Sequence, residues 1–134
     1  YQFLVDFGAA IPQLLADEPA PLGLGAGPAP DHMLLVAVAN CLSASLLFSL
    51  QKFKQDPGAL KATATAEVGR NENKRLRIMG INVKLELGQA AADIEHLDRV
   101  LAQFEEFCTV SMSVRQGIAI NVQVQDGTGA LLKG

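Results

Sequence analysis

The chain has 134 residues, of which 49% are apolar and 19% charged, and its formal net charge is −3 at pH 7. That length is typical of one ordinary domain with its own core, and the composition excludes a disordered chain. Lys and Arg are sparse and mixed with acids, so the charge pattern indicates no nucleic-acid partner. We therefore predict a single domain over residues 1–134.

The first seven residues indicate the cellular compartment in which we expect the protein. Residues 1–7 contain no basic stretch followed by an apolar one, which a secretory signal peptide would require. We expect a cytoplasmic protein for that reason. The chain begins with Tyr1 rather than an initiator Met, so the N-terminus can be truncated.

The two cysteines, Cys41 and Cys108, lie 67 positions apart. A small secreted protein would carry more cysteines at closer spacing, because disulfides would replace its core. Two distant cysteines in a chain with its own core are either buried, inert thiols or one redox couple. The residues alone leave both interpretations open.

The N-terminal third is predicted to contain little regular structure before a long helix. Phe3, Val5 and Phe7 alternate, which predicts one or two short strands over residues 1–16. Residues 17–30 are rich in Pro and Gly and predict a loop.

A run of alternating glycines lies within this loop. A phosphate-binding loop requires a buried strand before the glycines and a helix directly after them. Here Pro28 and Pro30 separate the glycines from the next helix. We therefore predict a connector rather than a nucleotide site, and no cofactor.

A long apolar helix is predicted to begin at Asp31, whose carboxylate suits the positive end of a helix dipole, and to end near Lys54. The 19 residues from Met33 to Gln51 carry no charge, which is close to the length of a membrane span. Asn and Ser residues interrupt the segment, and the strands that follow need a helix on which to pack. We therefore predict a buried core helix and no membrane partner.

Three strands are predicted downstream of this helix. Residues 60–68 alternate apolar and polar side chains, as a half-buried strand does. The alternation over residues 74–87 changes phase near Met79-Gly80, which predicts a β-bulge there. A last strand is predicted over residues 118–125.

A second helix is predicted over about residues 91–107. Its apolar side chains share one stripe, formed by Ile94, Leu97, Leu101, Phe104 and Cys108. The element order is then β-β-α-β-β-α-β, an α+β fold with antiparallel sheets packed on two long helices. Because the first helix is apolar nearly all round, we expect a second subunit to cover it, as in a homodimer.

Two motifs around the cysteines and one at the start of the first helix stand out. They are Pro30-Asp31, the run ANCLSAS over residues 39–45, and the run FCTVS over residues 107–111. Together they resemble the OsmC/Ohr family, in which a Pro-acid pair precedes the first cysteine by about three helical turns. The resemblance covers nearly the whole chain and implies an OsmC/Ohr-like fold and an intertwined homodimer with active sites at the interface.

The resemblance also implies a reaction. Cys41 would attack the terminal oxygen of an organic hydroperoxide and become a sulfenic acid, which Cys108 would resolve into a disulfide. A dithiol reductant of the dihydrolipoyl type would then restore both thiols. The alternative functions are an OsmC-like domain that binds a small ligand without peroxidase turnover, and a structural dimer with inert thiols.

In this family an arginine from early in the chain activates the first cysteine and is held by the acid that follows the proline. The resemblance assigns that acid to Asp31, which is one methylene shorter than the usual Glu. However, no Arg or Lys occurs from Tyr1 to Gln51. Either the arginine precedes Tyr1, or another arginine substitutes, or this member is a poor peroxidase. The candidates for substitution are Arg70, Arg75, Arg77 and Arg115.

The two histidines are predicted to bind no metal. His32 and His96 are far apart and lack a cysteine or histidine partner at the spacing that metal sites use.

Overall fold

The computed structural model describes residues 1–8 and 10–134. The chain divides into two units, Tyr1–Leu34 and Leu35–Gly134. The predicted α+β class is confirmed, because two sheets and three α-helices are present. That the chain forms one domain stays a prediction.

The first unit contains two short strands and an ordered loop. The short strands predicted over residues 1–16 are present as β1 (Phe3–Val5) and β2 (Leu14–Ala16), and the two pair antiparallel. In the loop that follows, the carboxylate of Asp17 is only 2% exposed. It accepts the backbone N–H groups of Glu18, Leu24 and Ala26 at 2.9, 3.0 and 3.1 Å. The buried Asp17 therefore orders this loop through hydrogen bonds. The sequence had predicted only a connector here.

Helix α1 (Pro30–Lys52) begins one residue earlier than predicted. Pro30 occupies the first helical position, where a missing N–H costs nothing. The Ala29 N–H donates to Nδ1 of His32 (3.1 Å), so a side chain three residues into the helix caps its start. Asp31 lies in the first turn, where the helix dipole favours an acid.

The helix ends two residues before the predicted boundary at Lys54. Lys54 takes a left-handed conformation with φ of 56°. The N–H groups of Lys54 and Gln55 then bond back to the carbonyls of Gln51 and Leu50 at 2.9 and 3.1 Å. This is a Schellman cap, which satisfies the last helical carbonyls and turns the chain away. By length and composition α1 could also cross a bilayer, a property that it shares with core helices of globular proteins.

The second unit is built on a four-stranded sheet. Its strands lie in the order β3 (Lys61–Arg70), β4 (Leu76–Glu86), β5 (Ala119–Gln125) and β6 (Leu131–Lys133). Strand β6 was not predicted. In the antiparallel β3–β4 pair, Glu67 lies opposite Gly80 and Val68 opposite Ile78. The register therefore skips Met79, and the predicted bulge is confirmed.

The expectation of purely antiparallel sheets is wrong for one pair, because β4 and β5 run parallel. Alternation within a strand reports which face is buried but not the direction of its neighbour. A parallel pair requires a long crossover connection. Here the helical segment between Glu86 and Ala119 supplies it.

The long second helix predicted over residues 91–107 is broken. The segment instead forms short 3-10 turns at Ala91–Asp93 and Phe104–Phe107 around helix α2 (Leu97–Gln103), followed by helix α3 (Thr109–Val114). His96 is left-handed, with φ of 58°, and the Glu95 N–H donates to the side chain of Gln55 (2.9 Å) instead of to a helical carbonyl. Four members of the predicted apolar stripe are nevertheless buried: Ile94, Leu97, Phe104 and Cys108.

The core of the second unit is formed by side chains from the sheet and from the helical segments. Its fully buried large side chains come from α1, β4, β5, α2 and the 3-10 turn before Cys108. They include Leu42, Leu46, Leu50, Ile81, Leu85, Val100, Phe104 and Val124.

Candidate active site

Two thiols from distant parts of the chain meet in the unit Leu35–Gly134. Cys41 lies on α1, beside the buried Leu42, and is partly exposed. Cys108 is fully buried at the junction between the 3-10 turn Phe104–Phe107 and α3. Both are free cysteines, and the Cys108 thiol lies near enough to Cys41 to affect its pKa. The fold thus brings together the two cysteines that the sequence analysis had selected.

The surroundings of Cys41 act on its pKa in opposite directions. Burial has the largest effect and raises the pKa, and the nearby Cys108 thiol raises it further. The backbone N–H groups of Val110 and Thr109, at the start of α3, stabilise the thiolate and lower it. The net result is a pKa above the ordinary value, so the Cys41 thiol is protonated at neutral pH.

Cys108 is held in place by the start of α3. Its extended backbone conformation precedes the helix, and its Sγ accepts the Ser111 N–H at 3.4 Å. The hydroxyl of Ser111, which is itself buried, donates to the Cys108 carbonyl at 3.5 Å. The FCTVS run therefore supplies both the second thiol and the serine that fixes it.

Three charged residues form a group of ion pairs next to the segment that contains Cys108, and the sequence analysis did not predict this group. The carboxylate of Glu105, three residues before the cysteine, accepts from Arg115 and from Lys133, each at 2.7 Å. Lys133 Nζ also donates to the Leu101 carbonyl (3.0 Å). No local signal could have found this group, because its members come from a 3-10 turn, the end of α3 and β6.

Three of the four arginines proposed as substitutes make hydrogen bonds away from Cys41. Arg115 pairs with Glu105, and the guanidinium groups of Arg70 and Arg77 donate to the carbonyls of Lys74 and Leu76, both at 2.7 Å. In the part of the chain that the structure describes, no Arg or Lys contributes to the pKa of Cys41. Among the described residues, the main influences on this thiol therefore include no cation.

Asp31 stands at the exposed start of α1, ten residues before Cys41, which is nearly three helical turns. Its carboxylate accepts the His32 N–H at 2.9 Å. None of the four ion pairs found among residues 1–8 and 10–134 includes it. Its role as an arginine holder stays a prediction.

Each histidine makes a contact within the fold. His32 caps α1 through Nδ1, and the His96 ring lies 5.0 Å from the Phe53 ring. Over the residues described, no group of three or more His, Cys, Asp or Glu side chains is arranged to hold a metal ion.

Several known structures of similar shape carry OsmC or organic hydroperoxide resistance names. An OsmC-like protein of unknown function from Vibrio cholerae has a TM-score of 0.70 at 16% identity, over 84% of this chain and 77% of that one. An organic hydroperoxide resistance protein OsmC from Legionella pneumophila has a TM-score of 0.69 at 14% identity, over 92% and 96%. The organic hydroperoxide resistance protein OhrB of Bacillus subtilis has a TM-score of 0.64 at 12% identity, over 93% and 98%.

Identities this low show a shared fold, which confirms the OsmC/Ohr-like fold that the motifs implied. No curated protein sequence matches the chain. The family model described as OsmC-like protein matches residues 23–123, which include both cysteines. Because that match covers well over half of its length, the chain belongs to the OsmC-like protein family.

Proposed function

We propose that the protein is a thiol-dependent peroxidase that reduces organic hydroperoxides through Cys41 and Cys108. The observation that carries this proposal is the proximity of the two thiols, one partly exposed and one buried, with Cys108 near enough to affect the pKa of Cys41. A sulfenic acid formed on the accessible sulfur would have its resolving thiol already nearby. Two inert core cysteines have no need to meet in this way.

The proposed reaction balances as follows. The Cys41 thiolate attacks the terminal oxygen of the hydroperoxide, the O–O bond breaks, and the alkoxide leaves as an alcohol after it takes up a proton. Cys41 is then a sulfenic acid, and attack by the Cys108 sulfur forms the disulfide and releases water. A dithiol of the dihydrolipoyl type reduces the disulfide and is itself oxidised to a disulfide.

The partly exposed face of α1 supports a homodimer as the working form, and free thiols suit the reducing cytoplasm. In such a dimer, a second chain would further enclose Cys41. It could also carry the activating cation that the described residues of one chain lack.

Peroxide titration of the reduced protein tests the proposal. One equivalent of cumene hydroperoxide is expected to remove both thiols and to lower the intact mass by two hydrogens. Because the pKa of Cys41 is raised, the rate is expected to increase as the pH is raised from 7 to about 9. Intact mass and free-thiol counts, followed over time, measure both quantities.

Two matched variants separate the roles of the cysteines. Cys41→Ser is expected to abolish the fast reaction, whereas Cys108→Ser should still react and stop at a sulfenic acid, which dimedone traps. Survival of both thiols in excess peroxide across this pH range would contradict the peroxidase proposal.

A second candidate function is a small-ligand-binding domain without turnover. It is favoured by the raised pKa of Cys41 and by the absence of a cationic partner for it in the described residues. A domain of this kind would bind an apolar probe such as a fluorescent fatty acid in a saturable manner while both thiols persist in peroxide. Thiol loss in the titration would decide for the peroxidase.

A further inference from the structure

The chain's cations are unevenly distributed, and one group of them lies at the end of the β3–β4 hairpin. This segment, residues 68–79, is called the basic tip below. It contains Arg70, Lys74, Arg75 and Arg77 but only one carboxylate, Glu72. Its net charge is therefore +3, so the rest of the chain carries −6 to give the total of −3. Four of the 11 cations thus lie in a small part of the chain.

These four cations are exposed and unpaired with acids. All of them are solvent-exposed, and the ion pairs among the described residues use Lys61, Lys84, Arg115 and Lys133 instead. The guanidinium groups of Arg70 and Arg77 donate to backbone carbonyls, of Lys74 and Leu76, rather than to carboxylates. Their charges are therefore available to an external anion.

The basic tip has a defined shape. The Asn71 side chain accepts the N–H groups of Asn73 and Arg75 at 3.1 and 3.0 Å, and the Asn71 N–H donates to the Arg75 carbonyl at 2.9 Å. Lys74 completes the turn in a left-handed conformation. The charged side chains are consequently presented by a hydrogen-bonded hairpin.

Large apolar side chains are exposed among the same cations. Val68, Leu76 and Met79 are 56%, 59% and 53% exposed. Val68 and Leu76 continue the apolar face of the hairpin into solvent, while Met79 is the bulged residue. Cations and exposed apolar groups at the same end of a hairpin form a surface that is both charged and amphipathic.

We propose that the basic tip binds the surface of a bilayer that contains anionic lipids. Lys and Arg near such a surface are attracted to the headgroups, and the apolar side chains enter the boundary between headgroups and acyl chains. A protein partner fits less well, because a stable interface takes about 20–30 residues from each side, whereas the basic tip has 12 residues.

Binding of this kind does not depend on the proposed peroxidase chemistry. If both hold, the contact would place the protein where acyl-chain hydroperoxides are found. Because Cys41→Ser is expected to bind vesicles like the unaltered chain, failure of the peroxidase and failure of membrane binding are distinguishable.

Vesicle co-sedimentation of the whole protein tests the proposal. At low ionic strength we expect binding to phosphatidylcholine vesicles with about 30% phosphatidylserine, no binding to phosphatidylcholine alone, and release by about 0.5 M salt. Each cation near the surface strengthens binding about fivefold. The variant with Lys74→Gln, Arg75→Gln and Arg77→Gln should therefore bind on the order of 100-fold more weakly.

Two further variants control the result. Lys54→Gln, Lys61→Gln and Arg99→Gln together remove the same charge elsewhere and should weaken binding much less. Leu76→Gln keeps every charge and should weaken binding about tenfold through lost apolar burial. Circular dichroism confirms that each variant is folded.

Three results would overturn the proposal. The first is no binding of the unaltered chain to anionic vesicles at low salt. The second is equal weakening by the two triple variants, which would show a dependence on net charge alone. The third is binding to duplex DNA as tight as to vesicles and unaffected by Leu76→Gln, which would identify a general polyanion site.

Discussion

At the scale of single residues, Asp126 shows how one buried carboxylate can organise a turn. Its side chain is 6% exposed and accepts the N–H groups of Ala91, Thr128 and Ala130, each at 2.9 Å, and the Thr128 hydroxyl at 2.7 Å. The Ala91 N–H has the largest effect, and together these donors lower the pKa of Asp126 to about 2. The ionised form is therefore stabilised by folding.

The lowered pKa predicts an acid-sensitive contribution to stability. A carboxyl group titrates near 3.9 in the unfolded chain, so the contribution of Asp126 is fully present above about pH 4. It is lost as the pH falls toward the folded value of about 2. Asp126→Asn should be less stable than the unaltered protein at pH 7, and the difference should shrink between pH 4 and pH 2. Urea midpoints across this range measure the difference.

Asp93→Asn is the matched control, because Asp93 is an exposed acid that accepts no hydrogen bond within the described residues. Its effect should stay small at every pH. A difference for Asp126→Asn that is constant from pH 7 to pH 2 would contradict the prediction.

At the scale of elements, the β5–β6 turn is held against the segment that follows β4. The Gly127 N–H donates to the Gln89 carbonyl at 2.6 Å. A Cβ atom at Gly127 would lie 2.6 Å from the Gly88 carbonyl oxygen, which is closer than real Cβ atoms approach. The absence of a side chain at this position therefore allows the two backbones to touch.

Gly127→Ala is predicted to destabilise the protein by about 1–3 kcal/mol, because the overlap is with backbone atoms that cannot rotate away. Gly117→Ala is the matched control, since a Cβ there meets no atom within 4 Å. That change should be neutral or stabilising by a few tenths of a kcal/mol. Thermal and urea denaturation compare the two. Equal stability of both variants would refute the close approach.

The helices show which boundaries can be predicted from residue spacing and which cannot. Spacing predicted α1 to within two residues at each end, because its apolar run is long and its C-cap lies close by in sequence. The second helix was predicted as one element but is broken, because Glu95 bonds to Gln55 from another part of the chain. The stripe of buried residues persists because burial depends on side-chain spacing more than on unbroken helical hydrogen bonds.

At the scale of the whole molecule, α1 leaves one mostly apolar stripe exposed to solvent, interrupted by Asn40. Val36, Asn40, Ala44 and Phe48 recur every four residues and are all exposed. Phe48 is 53% exposed, and Lys52 Nζ lies 4.8 Å from its ring centroid and 5.1 Å from that of Phe107. An apolar stripe of this kind is typical of an interface, which supports the proposed homodimer.

If α1 packs against a second subunit, Phe48→Glu should weaken dimerisation by about 2 kcal/mol or more, as loss of a central aromatic does. The fraction of monomer should rise accordingly in light scattering coupled to size exclusion. Leu131→Glu, which changes a residue of similar exposure on β6, is the control and should leave the dimer intact. A monomeric unaltered chain at micromolar concentration would contradict the proposed dimer.

The net charge of the whole chain differs in sign from the charge of the basic tip. The whole-chain value of −3, with sparse cations mixed with acids, indicated no nucleic-acid partner. In the fold, the acids nearest in sequence do not pair with the cations of the basic tip. A small total can therefore conceal a local surface of one sign.

The sequence by itself determined those features that depend on neighbouring residues. The apolar run of α1, the alternation of β3 and β4, the bulge at Met79 and the family motifs around both cysteines are local patterns, since side-chain periodicity reports the buried face directly. Only the tertiary structure decided the parallel β4–β5 pair, the break in the second helix and the proximity of the thiols of Cys41 and Cys108. It also decided that burial outweighs the N–H groups of α3 at Cys41. The physical reason is that each of these features depends on groups far apart in the chain, whose proximity no local spacing encodes.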